Sequence, residues 1–218
     1  MNTRGNATAP VAGESAIRTV DVEQVSARMR ARRSGHHGGI VWLTGLSGAG
    51  KSTIARRAES ELFAAGFAVY VLDGDRLRQG VNPDLGYSRD ARRENVRRVA
   101  AIAAILADAG VVAIVALISP YAADRALSRE LGGPRFYEVF VRAELATCER
   151  RDPRGLYRRA RMGEIPGFTG ISAPYEPPQA PDLVLDTDRL TAEEATVRLV
   201  EYVESNLRCH SGAPARHE

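Results

Sequence analysis

Residues 40–53 read IVWLTGLSGAGKST, and this stretch decides the fold of the chain. Its first five residues form a short apolar run that predicts a buried strand, and residues 53–65 have helical spacing. Between them, Gly45 to Ser52 match the pattern G-x-x-x-x-G-K-[ST] in its strand–loop–helix context. Glycines there let backbone N–H groups curl around phosphate oxygens, beside the positive end of the helix dipole. Residues 45–52, here called the phosphate loop, therefore predict nucleotide binding.

The motif predicts a role in binding ATP or Mg²⁺ for two side chains of this loop. Lys51 can reach the outer phosphates and Ser52 can ligate Mg²⁺. Of the 30 basic residues, Lys51 is the only lysine, so the one slender ammonium group stands where the motif requires it. The predicted nucleotide-binding residues are Gly45, Leu46, Ser47, Gly48, Ala49, Gly50, Lys51, Ser52 and Thr53.

Outward from the loop, short apolar runs alternate with longer segments of helical period, which is typical of a parallel sheet covered on both faces. The fold class is therefore α/β, of the P-loop NTPase type, with about five central strands. A capping box from Thr191 to Glu194 opens the last helix, and a further helix is predicted over 90–109. The expected strands cover 40–44, 67–73, 111–118, 136–141 and 182–186.

Three parts are expected along the chain. Residues 1–36 lack a sustained apolar period and predict a flexible arm, residues 37–208 the folded domain, and residues 209–218 a flexible tail. Residues 150–180 are basic and rich in Gly and Pro, and they are too long for a passive connection, so we expect a lid. The basic run 28–33 can contact nucleic acid, but a solvated charge run is the favoured interpretation.

Composition excludes several classes of protein. The 218 residues carry a net charge of +3 and only two cysteines, so a disulfide-stapled scaffold, a collagen-like repeat and a long disordered polymer are excluded. No apolar run reaches the roughly 18 residues of a membrane helix, and the first residues lack the apolar core of a signal peptide. The sequence therefore predicts a cytoplasmic protein without a membrane partner.

The second predicted strand ends in Asp73-Gly74-Asp75. If the strands are parallel, these carboxylates lie at the same sheet edge as the phosphate loop, where they can hold Mg²⁺ or accept a hydroxyl proton. Two Asp residues around a Gly also suit a tight turn. The guanine-reading N-K-x-D pattern is impossible because no second lysine exists. Small size, a basic lid and these acids favour a small-molecule kinase.

Six segments resemble adenylylsulfate kinases in order and spacing. They are GLSGAGKST, LDGDRLRQGVN, LGYSRDARRENVRR, ADAGVVAIVALISPY, FVRAELATCERRDPRGLYRRARMGEIPGFTGISAPYE and PDLVLDT, within residues 36–205. The resemblance implies transfer of the γ-phosphoryl group of ATP to the 3′-hydroxyl of adenosine 5′-phosphosulfate, the phosphorylation step of sulfate activation. It also implies a homodimer. The alternatives are another small-molecule P-loop kinase and an ATP-dependent nucleic-acid-binding regulator.

The same resemblance assigns the site residues. Lys51, Asp73 and Ser119 are the expected catalytic residues, with Asp73 orienting or deprotonating the hydroxyl, and Ser52 and Asp75 the expected metal ligands. Phe168 and Tyr87 are expected to sandwich the adenine of the acceptor, while Ser119 is either phosphorylated or only a helix cap. The expected substrate-binding residues are Asp73, Asp75, Arg78, Tyr87, Arg92, Asn95, Ile118, Ser119, Arg158, Phe168 and Thr169.

The sequence departs from the family pattern at several of these positions. Tyr87 stands where Phe is usual, Leu117 where Phe is common, and Arg76 where Asn follows the two acids. Arg158 and Arg159 replace lid lysines. The lid arginines follow the bias of the whole chain, whereas Leu117 and Arg76 are expected to affect substrate affinity.

Overall fold

Five parallel strands form the centre of the structure, a computed structural model that describes residues 25–209. Their order across the sheet is β2-β3-β1-β4-β5, with β1 paired to β3 on one side and to β4 on the other. All four strand pairings are parallel, which confirms the predicted fold class. The strands are β1 (Gly39–Thr44), β2 (Val69–Asp73), β3 (Val112–Ala116), β4 (Phe136–Arg142) and β5 (Leu183–Asp186).

Eight α-helices accompany these strands in the described part of the chain. Ser88 caps the long α4, and the expected capping box of Thr191 and Glu194 opens α8. The helices are α1 (Ala27–Ser34), α2 (Lys51–Ala64), α3 (Gly74–Gly80), α4 (Arg89–Asp108), α5 (Ala122–Gly132), α6 (Leu145–Arg151), α7 (Leu156–Arg161) and α8 (Ala192–Leu207).

Side chains on the two faces of the sheet belong to separate cores because neighbouring strand residues point to opposite faces. Val41 and Leu43 pack with α2 and α8, whereas Ile40 and Trp42 pack with α4. Every residue of β1 is buried, as expected for a central strand covered on both sides. This rigid centre carries the phosphate loop at its carboxyl end.

The folded part of the chain begins earlier than the sequence predicts. Residues 27–34 form α1, which Ser26 caps and Gly35 ends in a left-handed conformation. Ala31 and His36 are buried, and the backbone of Cys209 donates a hydrogen bond to Gly35. The expectation of a flexible segment up to residue 36 is therefore wrong for residues 27–36, because packing holds them. Residues 1–24 and 210–218 lie outside the described residues.

We find that no helix within residues 25–209 is both long enough and apolar enough to cross a bilayer.

Candidate active site

The phosphate loop joins the central strand to α2 in a geometry that requires glycine. Gly45, Gly48 and Gly50 have positive φ angles of 151°, 78° and 105°. A Cβ atom at Gly45 would lie 2.3 Å from the carbonyl oxygen of Val141, so a side chain does not fit there. The first N–H groups of α2 have no partner within the helix and point outward from its start. Loop and helix thus form the predicted anion cradle.

Lys51, the first residue of α2, is buried inside this loop. Its Nζ atom donates hydrogen bonds to the carbonyl oxygens of Gly45 at 2.9 Å and Leu46 at 2.7 Å. Burial lowers the pKa of Lys51 to about 8, against the raising effects of Cys148, Asp73 and Asp75. The lone lysine therefore lies in the cradle and within electrostatic reach of both predicted carboxylates.

Three residues from distant segments brace the loop, and none of them was predicted. Thr187 Oγ1 donates to the carbonyl of Ala49 at 2.9 Å, Tyr157 donates its hydroxyl proton to the carbonyl of Ser47 at 2.8 Å, and Arg151 Nη2 donates to the carbonyl of Thr187 at 2.6 Å. All three fall in segments that carry the family resemblance. No local pattern distinguishes them from their neighbours.

The two acids at the end of β2 and the start of α3 lie at the carboxyl edge of the sheet, as predicted. Asp73 is buried and caps α3 by accepting a hydrogen bond from the backbone of Asp75 through Oδ1. Its Oδ2 atom is buried without a hydrogen-bond partner in residues 25–209, and Arg56 lies 3.7 Å away. Asp75 is half exposed and forms an ion pair with Arg154. The two acids at this edge thus differ in exposure, because Asp73 is buried whereas Asp75 is half exposed.

The two acids and Ser52 suit Mg²⁺ in the usual way of phosphoryl-transfer sites. Mg²⁺ is commonly held by one or two carboxylates, water and the phosphates of the substrate. A group of three or more acidic, cysteine or histidine ligands is absent from the described residues, and such a site does not need one. The buried Oδ2 atom of Asp73, which has no hydrogen-bond partner within residues 25–209, fits that chemistry.

Ser119 follows β3 with its hydroxyl covered by protein. Its Oγ atom accepts a hydrogen bond from Trp42 Nε1 at 3.0 Å, and only 3% of the residue is exposed. The neighbouring carbonyl of Ile118 accepts a bond from Thr44 Oγ1 at 2.7 Å. The residue at the N-cap of α5 is Tyr121, so the prediction that Ser119 caps this helix is wrong. A residue this covered is poorly placed to exchange a phosphoryl group.

Arg78 and Arg92 shape the turn between α3 and α4. Arg78 Nη1 donates to the carbonyls of Leu85 and Gly86 at 3.0 Å, and its guanidinium carbon lies 4.4 Å from the centroid of the Tyr87 ring. Arg92 Nε donates to the carbonyl of Tyr87 at 2.8 Å. Tyr87 itself is 68% exposed. The two predicted arginines therefore converge on the segment that presents Tyr87.

Arg92 also connects α4 to the lid. It donates to the carbonyl of Gly167 at 2.7 Å and to Thr169 Oγ1 at 2.6 Å. Burial lowers the pKa of Arg92. On the same helix, Asn95 Oδ1 accepts a hydrogen bond from Asn82 Nδ2 at 3.0 Å, and both amides are buried. The structure thus brings Arg92, Asn95 and Thr169 to one side of the site.

Phe168 lies in the lid, with most of its ring covered by protein. Its ring is buried and packs edge-to-face on Tyr157 with centroids 5.0 Å apart. Tyr87 is largely exposed, and the expected stacking of adenine between the two aromatics stays a prediction. The packing of Phe168 against Tyr157 anchors the middle of the lid in the core.

Two lid arginines other than the predicted Arg158 contact the phosphate loop and Asp75. Arg158 lies on the exposed surface of α7, where its backbone N–H donates to Asp152. Arg154 contacts Asp75 instead, and this hydrogen bond raises the pKa of Arg154. Arg151 braces the phosphate loop. Among the described residues, Arg151 and Arg154 are thus the lid arginines that contact the phosphate loop and Asp75, and the closing of a basic lid over the substrates stays a prediction.

Comparisons with known proteins place this site in one family. A family model described as adenylylsulphate kinase matches residues 37–186. The adenylyl-sulfate kinase of Bacillus pumilus is 53% identical over 178 residues, which cover 81% of this chain and 90% of the relative. That of Geotalea uraniireducens is 53% identical over 173 residues, which cover 79% of this chain and 83% of the relative.

Solved structures agree with these relatives. The structure of the Mycobacterium tuberculosis APS kinase in complex with AMPPNP and APS matches with a TM-score of 0.74 and 48% identity. The match covers 77% of this chain and 98% of that chain. A hexameric APS kinase from Thiobacillus denitrificans matches with a TM-score of 0.60 and 30% identity, covering 82% of this chain and 31% of that chain.

Proposed function

The chain belongs to the adenylylsulphate kinase family, and from this premise we propose that it transfers the γ-phosphoryl group of ATP to the 3′-hydroxyl of adenosine 5′-phosphosulfate. One observation carries the proposal. The buried Lys51 donates to two carbonyls of the glycine-rich phosphate loop, and it lies within electrostatic reach of Asp73 and Asp75 at the same sheet edge. This arrangement suits phosphoryl transfer to a hydroxyl group, because that reaction depends mainly on positioning and charge stabilisation.

ATP would place its phosphates against the N–H groups of the phosphate loop and the start of α2. Lys51, whose ammonium group already lies in the loop, would follow the β- and γ-phosphate oxygens. Ser52 and an acid of the Asp73 and Asp75 pair would hold Mg²⁺, which neutralises charge on the phosphates when it is bound. Arg151 and Thr187 stabilise the loop from the side of β5.

Asp73 is the residue that we assign to the acceptor hydroxyl. Its carboxylate is fixed by the cap of α3, and one oxygen remains without a hydrogen-bond partner in the described residues. It would orient the 3′-hydroxyl and accept its proton as the bond to phosphorus forms. Asp75, which is paired with Arg154, links the same edge to the lid.

The acceptor would lie between α4 and the lid. Arg78, Arg92, Asn95 and Thr169 converge there, and guanidinium groups match the phosphosulfate anion. Direct transfer requires no covalent relay through Ser119, whose hydroxyl is buried against Trp42. Closing the lid over both substrates would exclude water and so limit hydrolysis of ATP.

The assay that tests the function measures ADP release with adenosine 5′-phosphosulfate, with adenosine 5′-monophosphate and with a set of small hydroxyl-bearing compounds. We expect turnover to require the sulfated nucleotide. Turnover with another acceptor alone would indicate a different small-molecule kinase, and strongly salt-dependent nucleic-acid binding without acceptor turnover would indicate the regulator.

The matched variant for this assay is Asp73→Asn. Asparagine is an equally good N-cap, so the fold should be retained, while the carboxylate that accepts the proton is lost. We expect kcat to fall about a hundredfold or more, in line with the usual contribution of a general base, with an unchanged melting temperature. Wild-type turnover by a folded Asp73→Asn enzyme would contradict the assigned role.

We also propose that the enzyme acts in the cytoplasm as a homodimer. Cys148 and Cys209 are both unpaired thiols, which suits a reducing compartment. The family resemblance supports the dimer, although the Thiobacillus denitrificans relative is hexameric. Light scattering of the purified full chain gives the mass that tests this part of the proposal.

A further inference from the structure

We propose that Arg125 is a positioning residue of the acceptor site, which holds the segment around Ser119 and the carboxyl-terminal end of the lid in one fixed arrangement. Arg125 lies on α5, outside the motifs that the sequence presents, and only 4% of its side chain is exposed. The inference rests on the proposed function, because it concerns the same acceptor site.

The guanidinium group of Arg125 makes three hydrogen bonds in three directions. Nε donates to Glu138 Oε1 on β4 at 2.6 Å, and this ion pair compensates the buried charge. Nη1 donates to the carbonyl of Ser119 at 2.8 Å, and Nη2 donates to the carbonyl of Glu176 at 2.7 Å. Because the guanidinium is planar and rigid, it fixes the two carbonyls relative to each other.

Further contacts connect residues 175–176, near the end of the lid, to residues 119–122. Glu176 Oε2 accepts a hydrogen bond from the backbone of Ala122 at 2.7 Å, and the backbone of Glu176 donates to the carbonyl of Pro120 at 2.8 Å. The hydroxyl groups of Tyr175 and Thr44 lie 3.1 Å apart, within hydrogen-bond distance. Residues 175–176 and 119–122 therefore form one unit, with Arg125 at its buried side.

This unit holds Ser119 in an unfavourable backbone conformation. Ser119 has a φ angle of 38°, in the left-handed region that residues other than glycine rarely adopt. Such a conformation is strained and persists only where the surrounding structure fixes it. Arg125 holds the carbonyl of Ser119 and Trp42 holds its hydroxyl. The strained residue follows β3 at the sheet edge where the acceptor is proposed to bind, so Arg125 acts on the acceptor through Ser119.

The first test compares Arg125→Lys with Arg129→Lys. Lysine keeps the charge beside Glu138 but lacks the fork that reaches two carbonyls. Arg129 is a matched control because it lies one turn further along α5 and also contacts one carbonyl, that of Phe136, and one acid, Asp182. We expect Arg125→Lys to raise the KM for adenosine 5′-phosphosulfate about tenfold, roughly the effect of one charge-assisted hydrogen bond, and to change the KM for ATP about twofold or less.

A second variant separates this role from simple stabilisation. Replacing a buried ion pair by apolar residues of similar volume is often neutral or stabilising, so Arg125→Met combined with Glu138→Leu should fold even if Arg125→Lys does not. We expect this double variant to retain a raised KM for the acceptor. Backbone deuterium exchange should also increase together at the amides of residues 118, 119, 121 and 122 and of residues 175 and 176, and stay unchanged in Arg129→Lys.

The outcomes distinguish this inference from the proposed function. If the wild-type enzyme releases ADP with adenosine 5′-phosphosulfate, but the folded double variant has wild-type KM values and exchange rates, Arg125 only stabilises the fold and the inference is wrong. If the wild-type enzyme shows no turnover with this acceptor, the proposed function fails on the wild type alone, and the positioning role fails with it.

Discussion

At the scale of single residues, Lys51 combines a required charge with a confined space. Its ammonium group fits between the carbonyls of Gly45 and Leu46 inside a loop that has no room for a Cβ atom at Gly45. A guanidinium group is wider and planar, so it must displace either the loop or the phosphates. The loop therefore requires lysine at position 51 for the shape of its side chain as well as for its charge.

We expect Lys51→Arg to lose most of its catalytic rate, although it keeps the charge. Displacing a reacting group by about 1 Å costs roughly a hundredfold in rate, and ATP binding should persist in part through the loop amides. Steady-state kinetics and ATP titration of the purified variant measure both effects. Wild-type kcat in this variant would show that Lys51 does not act on the phosphates.

The buried ammonium group also gives a pH dependence of stability. Burial lowers the pKa of Lys51 to about 8, from 10.5 in the unfolded chain. Between these values the unfolded chain binds the proton more strongly, so the free energy of unfolding rises with pH. Below pH 8 both states carry the proton and this contribution is constant.

Urea unfolding of the wild type and of Lys51→Met between pH 7 and 10 isolates that contribution. As pH rises, we expect the free energy of unfolding of the wild type to increase relative to that of the variant, by up to roughly 3 kcal/mol. Taking the difference removes the titration of tyrosines and cysteines that both proteins share. A difference that stays constant across this range would contradict a lowered pKa for Lys51.

At the scale of elements, Arg92 is the side chain that joins α4 to the lid. Its three hydrogen bonds reach the carbonyl of Tyr87, the carbonyl of Gly167 and the hydroxyl of Thr169. Arg92 therefore has two roles, of which the sequence predicts only the first. It is the expected ligand of the acceptor anion, and its hydrogen bonds to Gly167 and Thr169 hold the lid against α4.

For Arg92→Ala we expect a KM for adenosine 5′-phosphosulfate that rises at least tenfold, because charged hydrogen bonds on both the anion and the lid are lost. The KM for ATP should change little, and ATP hydrolysis without acceptor should increase as water enters. Arg93→Ala is the matched control, since Arg93 is exposed and lies 3.9 Å from Asp124. Equal effects of the two substitutions would show that Arg92 acts only through net charge.

At the scale of the whole molecule, the amino-terminal boundary of the domain depends on His36. This side chain is 1% exposed, its Nε2 atom accepts a hydrogen bond from the backbone of Ala68 at 2.9 Å, and its ring lies 4.7 Å from that of Phe67. Because Nε2 is the acceptor, Nδ1 carries the proton and donates to the carbonyl of His37. The segment before β1 is thereby attached to the start of β2.

Two truncations test this boundary. Removing residues 1–24 should leave kcat and the melting temperature close to those of the full chain, since no expected site residue lies there. Removing residues 1–36 should lower the melting temperature by about 5–10 °C, the shift expected for roughly 2–3 kcal/mol in a chain of this size. Calorimetry of both proteins measures the effect, and equal melting temperatures would show that α1 and His36 contribute nothing to stability.

Much of the architecture follows from the sequence alone. The phosphate loop, the five strands, the cap of α8 and the acids after β2 are local patterns that a few neighbouring residues define. Glycine at positions of positive φ, apolar runs with turn residues at their ends, and a Thr191 to Glu194 capping box all act over short distances in the chain. These features could therefore be predicted without knowing which segments meet.

The tertiary structure alone decides which of many similar side chains reach the site. With every basic residue but one an arginine, the sequence could not show that Arg151 and Arg154 turn toward the loop and the acids while Arg158 stays on the surface. Nor could it show that Phe168 packs on Tyr157, or that Arg125 joins Ser119 to Glu176. These contacts bring together residues that are far apart in the chain, so they depend on the order of the strands in the sheet. They also depend on whether each side chain is more stable when buried or when exposed to solvent.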